Sequence, residues 1–403
     1  MSIGVKTFHG ERLREARLSR GLFKNALGDL IGVTGTAITR YEDGVDRPPA
    51  DRLEAIARQL NFPIEFFLSA AWPEQIELVH WRSQASESKS AREMTEQRMR
   101  WLCEIYAYLG SEVDFGFSPL PDFDVPADVH FITGQMIERV AMEVRQAWGL
   151  RSEPIPDMIL ALENSGIPVT TINFSSEKQD GFCFKSNLLD KVFVGINIEN
   201  ASCSRARLDA AHELGHYILH KNVSVAQARH PTTHKIMEKQ AFRFAGALLF
   251  PRDAFLEEVG SVSLDYFCAL KRRWGMAISA MVVRAGDLGL IDAEEIGILF
   301  RSMTKRRWRG IRREPFDTEM KMERPRMLRR GFEAMFNSGI FSKAAIASAL
   351  PHPPREIEDI ASLEPGSLSQ SSSPQMPVSI RQANHGVVDL ESGNVLQFPR
   401  RQN

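Results

Sequence analysis

Cysteine is scarce, with four residues (Cys103, Cys183, Cys203 and Cys268) in a chain of 403. They are far apart and form no Cys-x-x-Cys pair, which argues against a cysteine zinc site and against a disulfide framework. A long apolar run is also missing. No stretch approaches the roughly 18 residues that a membrane-spanning helix needs. Residues 1–11 lack the charged-then-apolar pattern of a secretory signal, so a cytoplasmic location is expected and no membrane partner. Excess charge of one sign is absent too, the net being −1. Any nucleic-acid partner must therefore be recognised by a local motif rather than by a global field. What remains is an ordinary globular composition, 43% hydrophobic and 25% charged, with length for two or three domains.

The most informative stretch present is Ala211-His212-Glu213-Leu214-Gly215-His216. On a helix, His212 and His216 stand one turn apart and point the same way, so their imidazoles can share one metal ion. Glu213 lies about 100° around the helix, placed to touch a water on the metal rather than the metal itself. A catalytic zinc site takes three protein ligands and leaves a place for water. The pattern His-x-x-Gly-x-x-His would supply the third ligand, but Leu219 and Asn222 occupy those positions. A carboxylate from a later helix is the alternative. Glu238 opens such a segment, with Ala241 and Ala245 giving it a small face for close approach, and Pro251 stops it. His220, His230 and His234 stay open as other third ligands. His220, one turn beyond His216, reads as a cap of the helix C-terminus or as an outer partner that orients a ligand. Tyr217 reads as half-buried. Upstream, residues 167–174, 181–184 and 191–198 read as strands, and the last is a candidate edge for pairing with a substrate backbone.

Residues 10–69 contain four or five short helical stretches with helix-turn-helix spacing. Leu27, Ile31, Val33, Ile38 and Tyr41 supply the apolar positions, and Gly32 sits at the turn. Thr34 caps the second helix, whose exposed residues would be Gly35, Thr36, Thr39 and Arg40. Such a helix enters the major groove, with Arg40 for guanine or phosphate and Thr36 for a base edge. Lys24 is placed for a phosphate. The first 70 residues carry ten Lys/Arg against nine Asp/Glu, so non-specific attraction to DNA is modest.

The run Gly10-Glu11-Arg12-Leu13-Arg14-Glu15-Ala16-Arg17, then Gly21-Leu22, then Ile38-Thr39-Arg40-Tyr41-Glu42-Asp43-Gly44 with Pro48 resembles the XRE (Cro and phage-repressor) helix-turn-helix family. Phe23-Lys24 stands where that family usually has a glutamine. The run Arg207-Leu208-Asp209-Ala210-Ala211-His212-Glu213-Leu214-Gly215-His216-Tyr217-Ile218-Leu219-His220, followed by Glu238, Ala241, Phe244-Ala245, Leu248-Leu249 and Pro251, resembles the ImmA/IrrE metallopeptidase family. Members often have Phe-Thr at Leu208-Asp209 and Asn at Phe242. The resemblance implies a multidomain protein: an all-α helix-turn-helix N-terminal domain, then an α+β zincin-like metallopeptidase domain with a helical C-terminal extension. It implies Zn2+, with Mn2+ as the other candidate, held by His212, His216 and Glu238, and Glu213 as general base. It also implies operator DNA and an XRE-type repressor, cut by the protease, as partners. Some fused relatives act instead as regulators that sense small metabolites. A homodimer is expected because such domains usually read paired half-sites.

The boundaries expected are 10–69 for the DNA-binding domain, 70–130 for a linker region, 131–300 for the peptidase domain, 301–365 for a helical region and 366–403 for a disordered tail. Within the linker, residues 86–109 read as a charged helix and residues 115–125 as a Pro/Phe/Asp-rich loop. Residues 253–288 read as a small helical subdomain with a turn at Trp274-Gly275-Met276. The basic run at 301–313, with Trp308 inside it, reads as a phosphate grip or a solvated connector. Two short runs at 387–390 and 395–398 would pair as a hairpin.

Overall fold

The structure, a computed structural model, describes residues 4–74, 80–81, 89–171, 181–198, 201–309 and 313–369. Five short helices come first: α1 (Gly10–Ser19), α2 (Lys24–Ile31), α3 (Gly35–Glu42), α4 (Ala50–Leu60) and α5 (Ile64–Leu68). Thr34 caps α3 by accepting from Ala37 N at 3.2 Å, and Gly32 closes α2 in the left-handed region at φ 70°. A two-residue strand β1 (His80–Trp81) and the long α6 (Lys89–Glu112) follow. Then come α7 (Gly134–Ala147), α8 (Met158–Asn164) and the strands β2 (Val169–Thr171), β3 (Gly181–Ser186) and β4 (Lys191–Ile196).

The remaining helices are α9 (Cys203–Leu219), α10 (Val225–Ala228), α11 (Pro231–Leu249), α12 (Arg252–Glu258), α13 (Leu264–Trp274), α14 (Ile278–Asp287), α15 (Ala293–Lys305), α16 (Met327–Asn337), α17 (Lys343–Ala349) and α18 (Pro354–Ala361). Ser202 caps α9, Pro231 opens α11 at a position where its missing N–H costs nothing, and Gly275 ends α13 at the expected turn. No helix among the described residues is long and apolar enough to cross a membrane.

The sheet runs β1-β3-β4-β2, with β2 and β4 parallel and the other pairs antiparallel. Side chains alternate across it, as the pleat requires. Cys183, Val192, Val194 and Ile196 enter one core with α7, α9 and α11, whereas Phe182, Phe184 and Phe193 enter a second. That second core is built from the five N-terminal helices, α6 and the helices from α16 onward. Residues 70–130 thus do more than connect, since α6 puts Met99, Trp101, Leu102, Ile105 and Leu109 at its centre. The expected free edge at 191–198 is overturned, because β3 and β2 flank β4 on its two sides. Residues 366–369, expected in the tail, are among the described ones. Leu368 is buried, and Glu358 accepts from the backbone N–H groups of Gly366 and Leu368. The rest of that tail and the hairpin at 387–398 lie outside the described residues.

One buried ionic cluster ties the second core together across the chain. Arg12 on α1 donates to Glu104 on α6 at 2.6 Å and 3.0 Å and to Glu15 at 2.9 Å, and His352, just before α18, lies 2.9 Å from Glu104. Burial alone would raise the Glu104 carboxyl. The hydrogen bonds from His352 and Arg12 outweigh it and hold the group down to about 2, from 4.5. A depressed carboxyl stabilises the fold above its unfolded value and loses that contribution as pH falls through the folded one. Glu104→Gln is therefore expected to destabilise the fold at pH 7 by of order 3 kcal/mol at most, read as a lower urea midpoint. The difference from wild type should shrink between about pH 4.5 and 2. A gap that stays constant over that window would refute the coupling.

Candidate metal centre

Helix α9 is buried along nearly its whole length, and it lies on α11 at a contact only a glycine allows. A Cβ on Gly215 would stand 2.9 Å from Phe244 Cδ1 and 3.3 Å from Ala241 Cα. The small face expected around Ala241 is thus where the helices meet. This closeness brings Glu238, in the second turn of α11, to the two histidines of α9. His212 Nε2 and His216 Nε2 are 3.0 Å apart, His216 Nε2 is 3.0 Å from Glu238 Oε1, and His212 Nε2 is 3.5 Å from Glu238 Oε2. A tetrahedral ion with ligands at about 2.05 Å separates neighbouring donor atoms by about 3.3 Å. The observed separations bracket that value, so the donor set fits a small divalent ion. It is the group of His, Cys, Asp and Glu with metal-holding geometry found among the described residues. The histidine side chains are 1% and 2% exposed but that of Glu238 is 18% exposed, so the cluster opens towards solvent on its carboxylate side.

The other expected third ligands stand elsewhere. His230 is exposed at the start of α11, and His234 lies in its first turn. His220 is the C-cap residue of α9, its backbone N–H bonded to His216 O, and its fully buried side chain lies with Nδ1 3.0 Å from His216 Nδ1 and Nε2 3.1 Å from Gln240 Oε1. Burial, and next the neighbouring His216, push its pKa well below the usual imidazole value, against the Gln240 hydrogen bond. Glu213 is buried beside β3, where Gly181 leaves room for it: a Cβ there would be 3.1 Å from Glu213 Oε1. Tyr217 is half-buried, as expected.

Two neighbours escaped the sequence reading. Gln240 is buried and donates to Val129 O and Ile132 O, at 2.7 Å and 3.0 Å. A polar residue at an apolar-periodic place on α11 was the available signal. Phe242 packs its ring 4.2 Å from that of His212 and also lines a cavity of about 810 Å³ between α9, α11 and α14, with Leu208, Lys239, Val283 and Trp308 on its walls. The basic run borders this cavity through Trp308 and Arg309, and Arg306 is held to Asp265 by a two-bond pair.

At the N-terminal end, Thr34, Thr36 and Arg40 are exposed on α3. Arg40 holds Asp46 through bonds of 2.5 Å and 2.9 Å. Thr39 is half-buried and donates to Gly35 O at 3.1 Å. Gly35 belongs to the α2–α3 contact, since a Cβ there would lie 1.8 Å from Asn25 Oδ1. Lys24 Nζ is 3.6 Å from Glu42, a buried carboxylate that Arg17 already grips at 2.5 Å and 3.1 Å.

Residues 10–65 match the family model of a helix-turn-helix domain, and residues 162–285 match that of the IrrE N-terminal-like domain. The chain carries these two domains, in this order. Three similar proteins are an uncharacterized HTH-type transcriptional regulator of Sinorhizobium medicae (39% identical over 62 residues), one of Rickettsia prowazekii (29% over 82 residues) and an uncharacterized transcriptional regulator in the ATPase CF(0) region of Rhodospirillum rubrum (40% over 60 residues). The likeness covers 15%, 19% and 15% of this chain and 45%, 63% and 56% of those proteins. The chain thus spans about half the length of the curated relatives it matches. His212, Glu213, His216, His220, Glu238 and Gln240 all fall inside the IrrE N-terminal-like domain.

Widening the side chain at the helix contact should spread the cluster. Gly215→Val is expected to cost about 1–3 kcal/mol through overpacking, read as a lower denaturation midpoint. An unchanged midpoint would show that α9 and α11 can part freely.

Proposed function

We propose that this chain is a cytoplasmic DNA-binding regulator whose second domain is a metal-dependent endopeptidase, and that it cuts an XRE-type repressor bound near the same operator. The observation that carries this is the convergence of His212, His216 and Glu238 on one point, with its carboxylate side open and with Glu213, next to His212 in the chain, buried against Gly181. His212, His216 and Glu238 would hold Zn2+, or Mn2+, which when bound supplies a Lewis acid for the scissile carbonyl and for water. Glu213 takes the proton of the attacking water and returns it to the leaving amine. Removing that carboxylate while keeping its size separates chemistry from ligation. Glu213→Gln is expected to keep about one metal ion per chain and to lose cleavage of the repressor, with site-specific cutting by wild type alone. Metal analysis and gel assay on the same samples check it, and activity retained in clean Glu213→Gln protein would sink the assignment.

A second reading is supported by the cavity beside Phe242: a regulator without proteolysis whose IrrE N-terminal-like domain senses a small ligand. Stoichiometric metal with no cutting of any neighbouring repressor would favour it.

In either reading α3 lies in the major groove, with Thr36 and Arg40 towards the bases and Lys24, Thr34 and Thr39 lining the approach, Gly35 serving the α2–α3 contact instead, and a homodimer spans two half-sites. Arg40 would exchange Asp46 for a phosphate or a guanine. Its pair with Asp46 is exposed and therefore weak, so the exchange costs little. Arg40→Ala is expected to weaken operator binding and to lower the salt slope of log K by about 1. Titration at three salt concentrations would measure this; an unaltered slope and affinity would take Arg40 out of the interface.

A further inference from the structure

Gln240 lies two residues beyond Glu238 on α11, and its amide nitrogen donates to two backbone carbonyls, Val129 O at 2.7 Å and Ile132 O at 3.0 Å. Carbonyl oxygens only accept, so the amide is fixed with its nitrogen towards them and its oxygen towards His220. That oxygen also only accepts. At 3.1 Å it requires the proton of His220 to sit on Nε2. A ring with a single proton then presents a bare lone pair at Nδ1, and His220 Nδ1 lies 3.0 Å from His216 Nδ1. This second contact is a hydrogen bond only if His216 carries its own proton on Nδ1. A neutral His216 then has its lone pair on Nε2, the atom 3.0 Å from both His212 Nε2 and Glu238 Oε1.

We propose that His220 and Gln240 form a relay, anchored on the carbonyls of Val129 and Ile132, that holds His216 in the tautomer and ring orientation required to ligate a metal ion through Nε2. Both are positioning residues, since neither reaches the cluster itself. Each link has one direction only, so the order of donors is set from the backbone inward. The proposal rests on the metal-centre reading above and adds to it the source of the His216 geometry. Losing an outer partner of a metal-bound histidine typically weakens metal binding by about 10–100-fold.

The test is the zinc affinity of the full chain, measured by competition with a chromogenic chelator, for wild type, His220→Phe and His220→Asn. Phenylalanine keeps the size and apolar fit of the ring but offers no acceptor. Asparagine is smaller, yet its Oδ1 can take the place of Nδ1. The relay predicts that His220→Phe binds zinc about 10–100-fold more weakly, while His220→Asn stays nearer to wild type. A residue that only fills space predicts the reverse order. Equal affinity of wild type and His220→Phe, or weaker binding by His220→Asn than by His220→Phe, overturns the proposal. Nitrogen-15 NMR of histidine-labelled wild type, without metal, reads the relay with no variant at all. Protons on His216 Nδ1 and His220 Nε2 are expected, and a His216 without a proton on Nδ1 refutes the relay. Wild type with no zinc affinity would overturn the metal-centre reading instead, leaving the relay to be judged by those NMR assignments.

Discussion

The contact between α9 and α11 is what the centre of this molecule depends on. Two histidines one turn apart make half a metal site wherever such a helix occurs. The third donor is reached here because Gly215 has no side chain and Ala241 has a small one, so Glu238 is carried to within 3.0 Å of His216. The same approach puts Gln240 within reach of His220 and Phe242 over His212. Three contacts of one helix (the Glu238 carboxylate with His216, the Gln240 amide with His220 and the Phe242 ring with His212) therefore follow from one close packing. A burial this deep also means that the imidazoles work in a medium of low polarity, where every hydrogen bond is strong and a misplaced one is costly.

The N-terminal helices are held to the rest of the chain by a different kind of contact. Arg12, Glu15, Glu104 and His352 come from three distant stretches and meet in a buried site. Trp101 and Phe66 pack edge to face beside this cluster, and Arg12 lies over the ring of Phe66 at 4.8 Å. A buried ionic cluster of this kind is weak evidence for extra stability. It does demand that α1, α6 and the segment before α18 hold one mutual arrangement, because parting them leaves charges unpaired.

Much of the site was legible before any coordinates. The four-residue spacing of His212 and His216 has one meaning on a helix. The small residues Ala241 and Ala245, one and two turns after Glu238, announced a close partner, and Thr34 and Gly32 marked the turn between α2 and α3. Other features were invisible for a physical reason. That β4 has neighbours on both sides depends on strand order, which local patterns do not encode. The place of His220 depended on Gln240, twenty residues away, and the charge of Glu104 depended on partners 92 and 248 positions distant. Gly35 looked like part of an exposed face because helical periodicity gives a direction for each side chain but not the neighbour that Asn25 supplies. Short-range signals give elements and local donors. Long-range pairing decides which of them meet.

The alternating sheet carries a further consequence. Because Phe182, Phe184 and Phe193 face away from the His212–His216–Glu238 cluster and into the core built by α6, the N-terminal helices and the last three helices, the stretch at 162–285 that matches the IrrE N-terminal-like model does not cover both faces of its own sheet. Cut out at those limits, it would turn three phenylalanine rings of its own sheet to water. The reverse side of the strand that borders Glu213 is therefore finished by the same helices that pack the helix-turn-helix end, and the two domains share a wall.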